Sequence, residues 1–276
     1  MNIFEQKKNE SYIDVFARLH FIAKIVTRYL ISQKGEYIVN DPVSFMLKLG
    51  DNFLRIGNTF FDIVKTKKDS NSACVLFRVQ ADHLVTLLLL FEGKSEDESK
   101  FRYLLYLIDG LSQRIESLNE IPEYHGIISP EEYDVLVNRM KQARENAESV
   151  LDFCYKEIDK LPYKKTNLAL FEKIVKNKQW KYKEFSTSKT SYEYYQWKDL
   201  YYLIDKRPDV NSFISLCSHY VHGNINSLLS DNDNDIFDTI INFNSLLIER
   251  YLNMLKSLYG KDEINNIIKY CLSNIY

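Results

Sequence analysis

Apolar side chains recur every three to four residues along almost the whole chain, and nowhere do they alternate with the period-two pattern of a half-buried strand. That spacing puts them on one face of an α-helix. Val15, Leu19, Ile22, Val26 and Tyr29 mark a helix over about residues 11–32, which Gly35 ends. Asp41-Pro42 joins a capping carboxylate to a proline at the first helical position and opens a second helix to about residue 67. A kink is expected in it near Gly50 or Gly57. Ser95 and Glu98 have capping-box spacing, and the stripe from Phe101 to Leu118 follows them. Ser129-Pro130-Glu131-Glu132 is the strongest start signal. The stripe behind it, Tyr133 to Ile158, predicts a helix of about 30 residues, roughly 45 Å long, able to brace the body. Beyond Pro162 the pattern predicts helices over about 167–178, 192–205 and 236–258, and a last one to the C-terminus, with a flexible loop at 181–191. The expected fold is all-α: one domain, a single bundle of about nine or ten helices.

Two stretches break the amphipathic rule. Ser70 to Phe91 is apolar almost all round, which marks a buried helix, yet Arg78, Gln80, Asp82 and His83 sit in its middle. Ser70, Asn71 or Ser72 is expected to cap it, and Gly93 to stop it. Its longest run free of charge and histidine, Leu84 to Phe91, is far short of the ~20 residues of a membrane span. The second stretch is Ser212 to Asn224, SFISLCSHYVHGN. The two are expected to pack together in the core, with any chemistry between them. Arg78 and Asp82 are one helical turn apart and can pair. The default reading of the pair is a structural ion pair; the sharper alternative is part of a buried polar site.

Composition narrows the classes. A net charge of −2 argues against a nucleic-acid coat or a cationic membrane binder. Only 8 Gly and 5 Pro favour helices over many tight turns. Cys74, Cys154, Cys217 and Cys271 are isolated, without metal-ligand or disulfide-framework spacing, so a reducing, cytoplasmic compartment is expected. The N-terminus lacks the basic start and apolar core of a signal peptide. Charge is uneven along the chain: residues 156–189 hold ten lysines against Glu157, Asp159, Glu172 and Glu184, a local excess of +6.

Candidate chemistry centres on the second stretch. Ser215, Ser218, His219 and His222 share one stripe, and Ser218 precedes His222 by four residues, within reach of its imidazole. No placed acid completes a hydrolase triad. No third ligand joins the two histidines, so neither a metal nor a cofactor is expected. Arg78 with Asp82 on an early core helix, and Ser218, His222 and Gly223 on a late one, resemble the pattern of HEPN-superfamily helical proteins. Arg78 to His83 also has the Arg-to-His spacing of the HEPN active motif, with Val79 where Asn, Asp or His is usual. The resemblance covers about residues 70–260. It implies a bacterial defence, toxin–antitoxin or stress protein, a homodimer, and a metal-independent endoribonuclease. Arg78 would stabilise developing negative charge, His222 or His83 would move the proton, and Ser218 would orient substrate or histidine, with Asp82 and His219 in support. Lys164, Lys165, Lys181 and Lys183 would hold RNA phosphates, and Trp197 would stack an unpaired base. Two other readings stay open: a non-catalytic module of the same fold that binds a partner protein, and a small-ligand or nucleotide binder using an aromatic-rich pocket.

Overall fold

The computed structural model describes residues 11–221 and 234–273, and it is all-α. His222 and Gly223 lie outside the described residues, as does the expected end of the second stretch at Asn224. The chain forms two compact units. Unit 1 combines residues up to Lys94 with those from Gln196 onward, and unit 2 is Ser95–Tyr195.

In unit 1, α1 (Tyr12–Lys34) starts where Ser11 Oγ accepts from the Asp14 backbone N–H at 3.3 Å. Helix α2 (Pro42–Asp62) starts at Asp41, whose carboxylate accepts from Val43 N–H at 3.0 Å. It continues through both glycines as one α-helix and passes into a π-helical turn, Ile63–Lys67, closed by Lys68 in the left-handed conformation. The glycines are packing seats rather than breaks. A Cβ on Gly50 would overlap the Tyr251 hydroxyl and lie 2.9 Å from its Cζ. One on Gly57 would lie 2.9 Å from both Gln80 Nε2 and the His20 ring.

Helix α3 (Ser70–Phe91) is capped by Asp69 rather than by a serine: its carboxylate accepts from Ser72 N–H at 3.1 Å. Its 22 residues have the length and apolar composition of a membrane span. Here that surface is buried against α2, α9 (Pro208–Val221) and α10 (Asn234–Tyr259). Phe77 meets Phe213 at 5.4 Å between ring centroids, and Phe213 meets Phe243 at 4.7 Å, so α3, α9 and α10 share one aromatic seam. Helix α11 (Lys261–Ser273) packs on α1 and α10 after Gly260, which has φ +92°.

A polar thread crosses this apolar core. His20 Nε2–H donates to the Leu54 carbonyl at 2.8 Å. Gln80 Nε2 donates to the Phe53 carbonyl at 3.1 Å, and Asn244 Nδ2 donates to Gln80 Oε1 at 2.7 Å. Gln80 and Asn244 are fully buried, so each bond offsets a desolvation cost of about 1–3 kcal/mol. Glu92 and Arg250 form a two-pronged pair at 2.6 and 2.5 Å, and Arg250 Nε also donates to the Leu203 carbonyl at 3.2 Å.

In unit 2, α4 (Glu96–Ser117) and α5 (Pro130–Ile158) pack side by side, followed by the short α6 (Tyr163–Thr166) and α7 (Leu168–Lys176). The capping box at Ser129 is complete: Ser129 N–H donates to Glu132 Oε2 at 2.9 Å, and Glu132 N–H to Ser129 Oγ at 3.2 Å. The one expected at Ser95 is half made. Ser95 accepts from Glu98 N–H, but the Glu98 carboxylate turns to Arg102 at 3.0 Å. Helix α5 does not brace the body along its length. Its buried residues are Ala147, Cys154, Glu157 and Ile158, all in the C-terminal half.

The segment expected as a helix over 192–205 splits in two. Lys183 N–H donates to the Glu193 carbonyl, and Tyr195 N–H to the Lys181 carbonyl, both at 2.8 Å. These bonds hold both segments extended around one antiparallel bridge, Tyr182–Tyr194. Helix structure resumes only in unit 1, at α8 (Trp197–Leu200) and a 3₁₀ turn at Tyr201–Leu203.

Candidate functional site

Helices α3 and α9 bring together side chains that are 140 positions apart in sequence. Arg78 lies one turn beyond Cys74 on the face of α3 that meets α9. There its Nε donates to Ser218 Oγ at 2.7 Å. Ser218 in turn donates to the Ile214 carbonyl one turn back, at 3.2 Å. Arg78 Nη1 is ion-paired with Asp82 Oδ1. The same carboxylate oxygen accepts from the Tyr201 hydroxyl at 2.9 Å, and the Arg78 guanidinium lies 4.8 Å from the Tyr201 ring centroid. The result is a quartet of Arg78, Asp82, Tyr201 and Ser218 contributed by three elements.

The quartet is graded in burial. The Arg78 side chain is 15% exposed and that of Asp82 36%, so water reaches the acidic end while the cation is largely covered. A covered cation is tolerated when its partners restore what water supplied. Burial, and next the Asp82 charge, push the Tyr201 phenol well above its ordinary range, so it stays a neutral donor. Behind the quartet Cys217 shares a hydrogen bond with Cys74. That bond and burial raise its thiol strongly. Both are free thiols.

The other candidates are dispersed. His83 turns back on its own helix, its Nδ1–H donating to the Val79 carbonyl at 2.9 Å. His219 is exposed on the outer face of α9 with Ser215, away from the side where Ser218 meets Arg78. Lys164 pairs with Asp159 at 3.0 Å, and Lys183 with Glu193 at 3.0 Å. Lys165 is exposed. Lys181 is half-buried, 5.8 Å from the Trp180 ring centroid, and burial lowers its pKa. These lysines belong to unit 2, whereas Trp197, 40% exposed, belongs to unit 1. The loop that carries Lys181 and Lys183 is tethered at its start. Arg102, 1% exposed, donates to the carbonyls of Tyr182 at 2.7 Å, Trp180 at 3.2 Å and Lys183 at 3.3 Å, and stacks 3.8 Å from the Tyr182 ring centroid.

Sequence reasoning missed Tyr201, Arg102 and Arg250. Tyr201 had no distinguishing signal among the tyrosines around it. Arg102 did carry one: it is a lone charge between two aromatic residues, Phe101 and Tyr103, beside the apolar stripe of α4. Among the described residues no cluster of three metal-ligating side chains occurs. No protein-family model, no curated protein and no solved structure matches the chain.

Proposed function

We propose that this chain is a HEPN-like helical protein of a bacterial defence, toxin–antitoxin or stress system, and that it cleaves RNA without a metal. The observation behind the reading is the 2.7 Å bond from Arg78 to Ser218. It joins the two helices that carry the HEPN-like residues at a spot that solvent reaches through Asp82. In the proposed step an RNA 2′-hydroxyl loses its proton to a base, its oxygen bonds to the adjacent phosphorus, and the bond from phosphorus to the 5′-oxygen breaks as that oxygen takes up a proton. Arg78 is assigned to the charge developing on the phosphoryl oxygens. His222, four residues after Ser218 in the sequence, is assigned to proton transfer. Ser218, held by Arg78, is assigned to orientation.

The test is single-stranded RNA incubated with the protein in chelator, followed by analysis of the ends. Fragments with 2′,3′-cyclic phosphate are expected. His222→Ala and Arg78→Ala should each lose about a hundredfold or more in rate while keeping the wild-type circular dichroism. A wild-type protein inert toward RNA ends the proposal.

A second reading has its own support. Arg78 Nε and Nη1 are taken by Ser218 and Asp82, and His83 Nδ1 by Val79. A cation so occupied is what a purely structural clamp requires, and the chain would then be a non-catalytic partner module of the same fold. That reading expects no cleavage by any variant, and a lowered melting temperature in Arg78→Ala.

A further inference from the structure

The near half of the α4–α5 hairpin is covered: Phe101 stacks on Tyr163 and Phe171, at 4.8 and 5.6 Å between ring centroids. The far half is not. Between Ile108 on α4 and Ala147 on α5 no residue is buried, although the apolar stripes of both helices continue through it. Such a stripe makes a core only against a further element. Ile121, Tyr124, Ile127, Ile128, Val135 and Leu136 are all exposed, Ile127 at 89%. Single exposed apolar groups are ordinary, but a run of them over residues 121–136 is a patch. The tip is also held in shape. Tyr133 OH donates to the Pro122 carbonyl at 2.8 Å, and Tyr124 OH to the Ile128 carbonyl at 3.1 Å, with the two rings 5.2 Å apart. A surface set beforehand loses less entropy on docking.

Charge around the patch is sorted. Residues 116–134 carry Glu116, Glu120, Glu123, Glu131, Glu132 and Asp134, and no lysine or arginine. Residues 135–144 carry Arg139, Lys141 and Arg144, and no acid. We infer that the far half of the hairpin docks a second copy of the chain, antiparallel, with α5 crossing its mate near Val135 and Leu136. The acidic tip of each copy then lies along the basic band of the other. Val135 and Leu136, the most exposed large apolar residues of α5, sit at the two-fold axis. Asp134 and Lys141 are seven residues apart and share one side of the helix, as Glu132 and Arg139 share the other. An antiparallel mate brings acid to base on both sides, whereas a parallel one sets Glu132 beside Asp134 and Arg139 beside Lys141. Arg144 is also paired with Glu148 at 2.8 Å, so Arg139 and Lys141 carry the match. The acidic tip disfavours nucleic acid and anionic membranes, and a foreign cationic helix would be repelled by the basic band. All these residues belong to unit 2 and none to the helices that carry the HEPN-like pattern, so the inference stands apart from the nuclease reading.

The test is sedimentation velocity of the full chain over a concentration series. A dimer that forms with concentration and weakens with added salt is expected. Ile127 touches little in the single chain, so Ile127→Asp should keep the wild-type circular dichroism while raising the dissociation constant about tenfold or more. Asp134→Lys and Lys141→Asp should each weaken association, and the double variant should recover it. A wild type that sediments as a monomer at every concentration overturns the inference. So does a dimer that Ile127→Asp leaves unchanged, because its contact lies elsewhere. A double charge variant no better than the singles overturns the antiparallel arrangement. RNA cleavage does not enter these measurements, so the two proposals fail separately.

Discussion

At the scale of single residues, this molecule is governed by a few polar groups inside apolar helices. Tyr201 OH serves Asp82, which also serves Arg78, so Tyr201→Phe removes one donor and leaves the ion pair. The expected cost is about 1 kcal/mol, read as a lower urea midpoint with unchanged slope. Gly50 is a harsher position, because the Tyr251 hydroxyl, bonded to Thr27 Oγ1 at 2.9 Å, occupies the space of a side chain there. Gly50→Ala should cost about 1–3 kcal/mol. Adding Tyr251→Phe should return part of that loss, since it removes the overlapping atom. Equal midpoints for Gly50→Ala and the double variant would show that the hydroxyl is not the obstacle. Arg78 and Asp82 were legible beforehand as polar residues on a helix too apolar to be at a surface, and Ser218 as a member of the polar stripe on the second stretch. Tyr201 was not, because nothing local separates it from the exposed Tyr202 beside it.

Among the elements, those with the fullest caps are not those with the most buried surface. Helix α5 has the complete capping box, yet its first half is exposed. Ser129→Ala should therefore act locally, speeding amide exchange over about residues 130–140 while shifting the melting temperature little. The chain at 180–183 is the reverse case: little regular structure, held by one buried guanidinium. Arg102→Leu removes every one of those carbonyl bonds, and trypsin should then cut at Lys181 and Lys183 faster than in wild type. An unchanged digestion rate would mean that the Tyr182–Tyr194 bridge suffices. The expected helix over 192–205 failed for the same kind of reason. Tyrosines at helical spacing are equally compatible with an extended segment once backbone bonds to a neighbouring segment are available.

For the whole molecule, the buried thread in unit 1 makes stability depend on pH. Burial holds His20 below its ordinary value of 6.5, opposed by its bond to Leu54. Below that value the unfolded chain binds a proton that the folded one resists, so the unfolded state gains protons and folding weakens. The contribution is complete above about 6.5 and shrinks as the pH falls further. Wild type should lose urea stability between pH 7 and 5.5. His20→Gln keeps a donor for Leu54 without the titration, and its stability should change less over that interval. Equal slopes for the two proteins would exclude His20 as the titrating group.

Sequence alone determined the all-helical class, most helix starts, and that the Ser70 to Phe91 stretch is too apolar to lie at a surface. It could do so because period, capping and burial preference are local properties of side chains. Tertiary structure alone decided that Arg78 meets Ser218, that glycines 50 and 57 seat Tyr251 and His20, and that Ser215 and His219 lie on the outer face of α9 instead of beside Arg78. Each of these depends on which helix faces occupy the same space. That is settled by shape and by the need to satisfy buried polar groups jointly, and no single stretch of chain encodes it.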